Sequence, residues 1–282
     1  MVEDRTSLVF PHAGRTSVPL CTPDDLVCCA AAGPGGHALR VLIDTGTDPS
    51  AIDARLAHRL GLSTGGTGLG VGAVTDEVPF TEAVLPWLRI GDLSIRDLFA
   101  PALDLSGLPF AVDIVLGYNV LRQLALRIDY RQRTLELAHP DLGAAPGAPA
   151  ITLPLVFYEH FPALAAIEVA GQPIALATID TGSNAALTVG PDLADTLGIA
   201  PGAADQRLDS GAGFGGGRAV LRGRRLPVQV GGHALADVEI DAPQAPRGDL
   251  GRPGRANIGN RLLARFASVA IDYQREQICF EL

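Results

Sequence analysis

Short apolar runs rich in Val, Ile and Leu follow one another along the chain, and Gly and Pro separate them. Typical runs lie at 87–93, 133–138 and 176–182. Runs of this length and composition, bounded by turn-forming residues, are typical of β-strands. The pattern therefore predicts a chain made mostly of short strands.

Two pairs of segments depart from this pattern and predict short helices. Apolar residues recur with helical spacing at 54–62 and 191–199, and each stretch ends in Gly followed by an aliphatic residue. A second short helix is expected at 119–125 and at 260–267. The predicted helices thus occur twice, once in each half of the chain.

The whole chain contains an internal repeat, and the two copies keep a nearly constant offset. The matched segments are SVPL at 17–20 with TLPL at 152–155, VLIDTGT at 41–47 with ATIDTGS at 177–183, 88–98 with 228–238, and 115–130 with 257–273. A chance pair of motifs would not stay in step over this length. The repeat predicts two homologous lobes.

The boundary between the lobes is expected at 139–150, which is rich in Ala, Pro and Gly and has no apolar periodicity. The domains predicted are an N-terminal lobe at 1–138, this linker, and a C-terminal lobe at 151–282. The fold class is all-β, with two lobes and a few short helices.

Charge and hydropathy exclude several classes of protein. The net charge is −9, with 31 acidic against 22 basic residues. Because the basic residues are scattered apart from a group at Arg222, Arg224 and Arg225, neither a nucleic-acid partner nor an anionic membrane surface is expected. No apolar run approaches the roughly 20 residues of a membrane helix, and the start MVEDRTSLVF lacks the basic residues of a signal peptide. A soluble protein is predicted, its compartment open and the cytoplasm favoured.

Metal and cofactor chemistry have little support in the sequence. The cysteines are too few for a disulfide scaffold and lack the paired spacing of a zinc site; they are Cys21, Cys28, Cys29 and Cys279. The six histidines stand far apart without a ligand motif. We expect no metal and no cofactor.

Each copy of the repeat carries one Asp-Thr-Gly (DTG) motif at the end of an apolar strand, beginning at Asp44 and at Asp180. A single such motif is often only a turn in which Asp accepts backbone hydrogen bonds. Two copies at equivalent positions change this interpretation, because a pseudo-twofold axis would bring the two carboxyl groups face to face. Two carboxyl groups held so close together cannot both ionise, so they share a proton and supply an acid and a base in one site.

The neighbours of the two aspartates are expected to support such a site. Thr45 and Thr181 would direct their hydroxyls across the axis and tie the two loops together. Gly46 and Gly182 would let backbone amides approach the carboxylates.

The sequence resembles the retropepsin-like and pepsin-like aspartic proteases, with two lobes fused in one chain. The resemblance rests on three features of each lobe: two apolar residues followed by DTG and then Ser or Thr, a glycine-rich stretch after this motif, and an apolar-apolar-Gly motif at 115–117 and 257–259. It covers roughly residues 16–138 and 151–282. Aspartic proteases are themselves the standard example of a carboxylate pair that shares one proton. The resemblance implies a bilobal fold and, because one chain supplies both aspartates, a monomer.

Further residues are assigned from the resemblance. Thr47 and Ser183 would each donate a hydrogen bond to the outer oxygen of the preceding Asp, which favours an acidic pH optimum. The glycine-rich stretches would be the mobile tips of hairpin flaps that cover the substrate. Their residues are Gly66, Thr67, Gly68, Leu69 and Gly70 in the first lobe and Gly213, Phe214 and Gly215 in the second. Asn257 departs from the pattern, because the family has an aliphatic residue there, and 240–256 reads as an extra loop.

The leading hypothesis is an aspartic endopeptidase that cleaves extended peptide or protein substrates between bulky apolar residues, using a water activated between Asp44 and Asp180. One alternative is a peptide-binding or scaffold protein that keeps the fold without turnover. Another is a protease dedicated to one partner. A dinucleotide fingerprint at Gly211, Gly213 and Gly216 is not favoured, because a strand pattern follows where that motif needs a helix.

Overall fold

The computed structural model describes residues 2–21, 26–108, 110–143, 150–165, 167–199, 207–212, 218–245 and 247–282. About half of these residues lie in β-strands, and the helices are few and short, so the all-β prediction is confirmed. Of the predicted linker, residues 144–149 are outside the described ranges.

The strands run through both halves of the chain. Those before the linker are β1 (Ser7–Val9), β2 (Arg15–Pro19), β3 (Cys28–Ala32), β4 (Ala38–Ile43), β5 (Ala51–Asp53), β6 (Thr64–Gly70), β7 (Val78–Ile90), β8 (Leu93–Phe99), β9 (Ala102–Leu103), β10 (Ile114–Leu116), β11 (Ala125–Asp129) and β12 (Thr134–Ala138). The later ones are β13 (Ala150–Pro154), β14 (Val156–Tyr158), β15 (Phe161–Leu164), β16 (Ile167–Val169), β17 (Gln172–Ile174), β18 (Ala177–Ile179), β19 (Leu187–Val189), β20 (Arg207–Ala212), β21 (Arg218–Val230), β22 (His233–Pro243), β23 (Ala256–Ile258), β24 (Ser268–Asp272) and β25 (Gln277–Glu281).

The helices occupy the positions expected from the repeat. They are α1 (Ala54–Arg59), α2 (Tyr118–Leu121), α3 (Pro191–Thr196) and α4 (Asn260–Leu263), and short 3-10 turns cover Pro34–Gly36, Pro140–Leu142 and Asp249–Gly251. Asp53 starts α1 by accepting bonds from the amides of Arg55 and Leu56. Pro191 starts α3, where its fixed φ suits the first helical position.

Each half builds a large sheet of its own with the same central arrangement. In the first, the strand order is β1-β8-β7-β3-β4-β10-β5-β9, with β6 paired to β7. In the second, it is β14-β15-β18-β23-β19-β22-β21-β16-β17, with β20 paired to β21. The strand that leads into each DTG motif is parallel to the strand of the apolar-apolar-Gly motif: β4 pairs with β10, and β18 with β23.

The equivalence extends to the hairpin turns. Gly91, between β7 and β8, and Gly231, between β21 and β22, have φ of 55° and 56°. This left-handed backbone conformation is easily adopted only by glycine. Asp97 and Asp237 occupy a second pair of equivalent positions with positive φ, at 49° and 57°. Matching backbone conformations at matching positions support the internal repeat.

A third sheet joins the two halves. Its order is β13-β25-β24-β11-β12-β2, all antiparallel, so each half contributes three strands and the halves meet where β11 pairs with β24. At this junction Leu126 lies opposite Ile271 and Ile128 opposite Val269, and all four side chains are fully buried. Burial of one such side chain contributes about 1.5–3 kcal/mol, so the junction is a strong connection between the halves.

Candidate active site

The two DTG motifs lie at equivalent turns directly after β4 and β18. The backbone amide of Asp44 donates to the carbonyl of Leu116 at 2.9 Å, and that of Asp180 donates to Ile258 at 2.9 Å. The parallel strand beside each motif therefore fixes the backbone of its aspartate. A carboxyl group is thus placed at the end of a buried strand in each half of the molecule.

Thr45 and Thr181 tie the two turns together, as the sequence predicted. The Thr45 hydroxyl donates to the carbonyl of Ile179 at 2.6 Å and accepts from the amide of Thr181 at 3.1 Å. The Thr181 hydroxyl mirrors this, donating to Ile43 at 2.7 Å and accepting from the Thr45 amide at 3.1 Å. Both threonines are almost completely buried. These four bonds hold the two aspartates at a fixed separation.

Gly46 and Gly182 allow the close approach of the two carboxyl groups. Each donates its amide to the aspartate two residues before it, at 2.8 Å to Asp44 Oδ1 and 2.9 Å to Asp180 Oδ1. A Cβ on Gly46 would lie 2.7 Å from the Cγ of Asp180, and one on Gly182 would collide with the carboxyl of Asp44. Each glycine therefore lies against the aspartate of the opposite half.

The outer oxygens of the two aspartates have different partners. The Thr47 hydroxyl donates to Asp44 Oδ2 at 2.6 Å, as expected. Ser183 differs from the expectation, because its hydroxyl instead accepts from the backbone amide of Ala185 at 3.3 Å. The donor to Asp180 Oδ2, at 2.8 Å, is the side-chain amide of Asn257. An amide from a neighbouring strand thus replaces the hydroxyl that follows the motif in the first half.

The surroundings of the pair favour a shared proton. Burial raises the pKa of Asp44 well above its usual range, and the neighbouring charge of Asp180 raises it further, against the bonds from Thr47 and Gly46. Burial also raises the pKa of Asp180, whereas the bonds from Asn257, Asp44 and Gly182 lower it. Two close carboxyl groups with raised pKa values retain a proton between them.

A cavity of about 620 Å³ opens over the pair. Asp44 and Asp180 lie in its wall together with Thr47, Ser183 and Asn257. Much of the remaining wall is apolar and comes from both halves, as Leu26, Val74, Phe80, Phe110, Phe161 and Leu250 illustrate. A site of this kind suits a ligand with apolar side chains and a polar group placed over the aspartates.

The first predicted flap is a hairpin, but its glycine-rich part is a strand rather than the tip. Gly66, Thr67, Gly68 and Leu69 lie within β6, and Gly70 ends it. Of these five, Gly70 is the one that lines the cavity. A Cβ on Gly68 would lie 2.6 Å from the ring of Phe80, so this glycine makes room for a neighbouring side chain.

The turn of this hairpin, residues 71–77, reaches the second half of the molecule. The amides of Asp249 and Leu250 donate to the carbonyls of Gly72 and Ala73, both at 3.1 Å. The amide of Gly248 donates to Asp76 Oδ1 at 2.9 Å. The sequence predicted an extra loop at 240–256, but 240–243 belong to strand β22. Residues 248–250, further along this segment, hold the tip of the hairpin over the cavity. The second predicted flap, with Gly213, Phe214 and Gly215, lies outside the described residues.

A further contact joins the halves beside the cavity. His160, in the turn between β14 and β15, places Nδ1 2.5 Å from Asp48 Oδ2, and its ring stacks on Tyr118 at 4.6 Å. The second copy of the repeat has no acid equivalent to Asp48, and this pattern alone predicts a surface or helix-start acid. Its partner instead comes from a hairpin that the repeat does not single out.

Other site chemistries have little support within the described parts of the chain. There, no group of three or more His, Cys, Asp or Glu side chains is placed to hold a metal ion. Among the helices described, none has the length and apolar character needed to cross a membrane. The glycines proposed for a dinucleotide fingerprint are followed by strand β21 rather than a helix, so the structural context of that motif is missing.

Comparison with known protein families gives a match over part of the chain. A family model described as aspartyl protease matches residues 31–120, less than half of the chain. The match contains the first DTG motif and ends before the second. It supports an aspartyl protease, a peptide-cleaving hydrolase, at the level of the family. The chain has no significant match among curated proteins.

Proposed function

We propose that this protein is a single-chain aspartic endopeptidase that cleaves extended polypeptides with a water molecule activated between Asp44 and Asp180. The observation that carries the proposal is the threonine bridge between the two DTG turns, which holds two buried carboxyl groups against each other. A turn that served only to end a strand would need no such bridge.

The reaction requires one proton on the pair. The water oxygen attacks the peptide carbonyl carbon while the ionised carboxylate takes a proton from this water. The other carboxyl gives its proton to the carbonyl oxygen. The tetrahedral intermediate collapses when the C–N bond breaks: one proton passes from the pair to the leaving nitrogen, and one hydroxyl of the intermediate returns its proton to the pair. The products are a free carboxyl and a free amine, and the pair again carries one proton. No covalent enzyme intermediate forms.

The cavity supports an extended substrate with bulky apolar side chains. Its apolar wall draws on both halves of the chain, with Phe80 and Phe110 from the first and Phe161 and Leu250 from the second. The hairpin of β6 and β7 offers backbone groups to an extended peptide, a common mode of peptide recognition. Because both aspartates belong to one chain, the proposed active species is a monomer with the lobes at 1–138 and 151–282.

A peptide-library digest tests the proposal. The purified protein and an Asp44→Asn/Asp180→Asn variant, which controls for contaminating proteases, are incubated with a denatured protein and a diverse peptide library between pH 3 and pH 8. We expect the wild type alone to cleave, with new termini between apolar residues. Binding of peptides without cleavage would instead indicate a scaffold protein, and equal cleavage by the variant would exclude the mechanism.

Cleavage is expected to persist at near-neutral pH rather than being confined to acid. Both limbs of the pH profile depend on the carboxyl pair, and burial raises the pKa of both members, which moves both limbs upward. The acidic optimum expected from the sequence rests only on hydrogen bonds that lower the pKa of the carboxyl pair, and it leaves out the effect of burial. The measurement is kcat/KM against pH. Activity restricted to values below about pH 4, the usual carboxyl pKa, would contradict this prediction.

Asp76→Ala is expected to raise KM about 2- to 10-fold, because it removes the acceptor for the amide of Gly248 and loosens the hairpin over the cavity. The matched control is Asp76→Asn, whose side-chain oxygen still accepts this bond and should leave KM close to that of the wild type. The measurement is steady-state kinetics with one peptide from the library. Equal KM values for the two variants would show that this contact does not control binding.

A further inference from the structure

Asn257 is a polar residue at a strand position that is apolar in the first half. It lies in the middle of β23, where its backbone pairs with that of Thr178 in β18, and its side chain is 7% exposed. The repeat aligns it with Val115, which is fully buried among apolar side chains. A buried amide in place of an aliphatic side chain is costly unless it is fully hydrogen-bonded.

The two ends of the Asn257 amide have different partners. Nδ2 donates to Asp180 Oδ2 at 2.8 Å. Oδ1 accepts from the hydroxyl of Thr178 at 2.7 Å. An amide NH₂ group can only donate, so the carboxyl oxygen opposite it must accept and cannot carry a proton that points at it. In this orientation, in which Thr178 donates to Oδ1, the amide suits the ionised form of Asp180.

Asp44 has a different kind of partner. Its outer oxygen lies 2.6 Å from the Thr47 hydroxyl. A hydroxyl can donate to a carboxylate or accept from a protonated carboxyl, so this contact tolerates either state of Asp44. The two halves of the pair therefore differ in the proton positions that their outer hydrogen bonds permit.

We propose that Asn257 is a positioning residue that keeps Asp180 as the ionised member of the pair. Its side-chain amide takes the place beside Asp180 that the Ser183 hydroxyl was expected to occupy. Asp180 then takes the proton from the attacking water, and Asp44 holds the shared proton and gives it to the peptide carbonyl oxygen. These roles rest on the proposed protease function, whereas the protonation state that Asn257 imposes on Asp180 does not. The bond from Asn257 also lowers the pKa of Asp180 against the effect of burial, in the direction that the roles require.

The first experiment needs no proteolysis. The background is the Asp44→Asn variant, in which Asp180 titrates without its partner. The protein is labelled with ¹³C at the aspartate carboxyl carbons, and the signal of Asp180 is followed by NMR as the pH changes. This signal is assigned by its absence from the spectrum of Asp44→Asn/Asp180→Asn. Adding Asn257→Leu is expected to raise the pKa of Asp180 by about 1 or more, because a donor to the charged form is lost. Adding Ser183→Ala should leave this pKa in place. An unchanged pKa with Asn257→Leu, or an equal rise with Ser183→Ala, would overturn the proposal.

The leucine variant should fold, because the Thr178 hydroxyl keeps a second acceptor, the carbonyl of Ala256 at 3.1 Å. The Thr178→Val variant tests the orientation of the amide independently, because Asn257 itself is retained. Without the hydroxyl that orients the amide, the pKa of Asp180 should rise, but less than with Asn257→Leu. A Thr178→Val variant that raises this pKa more than Asn257→Leu would contradict the proposed orientation.

The second experiment is kinetic and uses the chain with both aspartates intact. Asn257→Leu is expected to lower kcat about 10- to 100-fold, to change KM little, and to move the acidic limb of the kcat profile to higher pH. A purely structural residue would lower kcat without moving that limb. If the wild type cleaves no peptide, the proposed function fails, and the NMR titration still decides whether Asn257 controls the protonation of Asp180.

Discussion

Asp44→Asn and Asp180→Asn are each expected to lower kcat at least about 10³-fold, with the double variant little worse than either single one. Each carboxyl is needed for the same proton cycle, since one receives the proton of the water and the other protonates the carbonyl. An asparagine cannot do either. The threonine bridge uses neither carboxyl, so the geometry of the site should survive the change. The measurement is single-peptide kinetics on all three variants.

Stability supplies the control for these variants. The folded-state pKa of each aspartate is raised by burial above its value in the unfolded chain. The stability associated with such a group is complete below the unfolded pKa, about 3.9, and is lost as the pH rises through the folded pKa. Neutral asparagine avoids this loss, so at pH 7 the variants should unfold at a Tm no lower than the wild type. A lower Tm would attribute the lost activity to misfolding, and residual activity above a tenth would contradict the mechanism.

Thr45→Val is expected to lower the free energy of unfolding by about 2–5 kcal/mol and to abolish most of the activity. Valine has the shape of threonine but leaves two buried backbone groups without their partners, the carbonyl of Ile179 and the amide of Thr181. With that side of the bridge lost, the two carboxyl groups are no longer held together. The measurement is urea unfolding followed by circular dichroism, together with a peptide assay.

The control for the bridge is Thr45→Ser, which keeps the hydroxyl and removes only a methyl group. It should cost about 1 kcal/mol and retain most of the activity. If the serine and valine variants lose the same stability, packing rather than the hydrogen bonds of Thr45 holds the two turns. Thr181→Val tests the other side of the bridge and should resemble Thr45→Val, because its hydroxyl makes the equivalent bonds to Ile43 and Thr45.

Much of the central architecture could be predicted from the repeat. The apolar runs and DTG motifs recur in step, so they anticipated two equivalent strand ends, the bonds between Thr45 and Thr181, and the glycines beside the carboxyls. The helices were also anticipated, since α1 and α3 follow the DTG strands in both halves. Such features follow from local pattern and symmetry, which a sequence displays directly.

The details that break the symmetry could not be predicted in this way. Whether Ser183 or Asn257 bonds to Asp180 depends on the path of two separate strands, and the alignment showed Asn257 only as a departure. The glycine-rich stretch in β6 was expected at a mobile tip, but Gly68 is needed to accommodate Phe80. The bonds from residues 248–250 to the hairpin turn join positions far apart in the sequence, and no local pattern marks them.

The sheet shared by the two halves also determines when the site can exist during synthesis. The chain emerges from the ribosome with its N-terminal half first. Asp44 can reach its turn early, but Asp180 needs the carbonyl of Ile258, and β24, the strand of the second half that pairs with β11, ends at Asp272. A nascent chain that has not yet reached β24 therefore carries one aspartate without its partner, and a working pair can form only after this strand has been added. Under the proposed function, such a chain cannot digest itself or its neighbours.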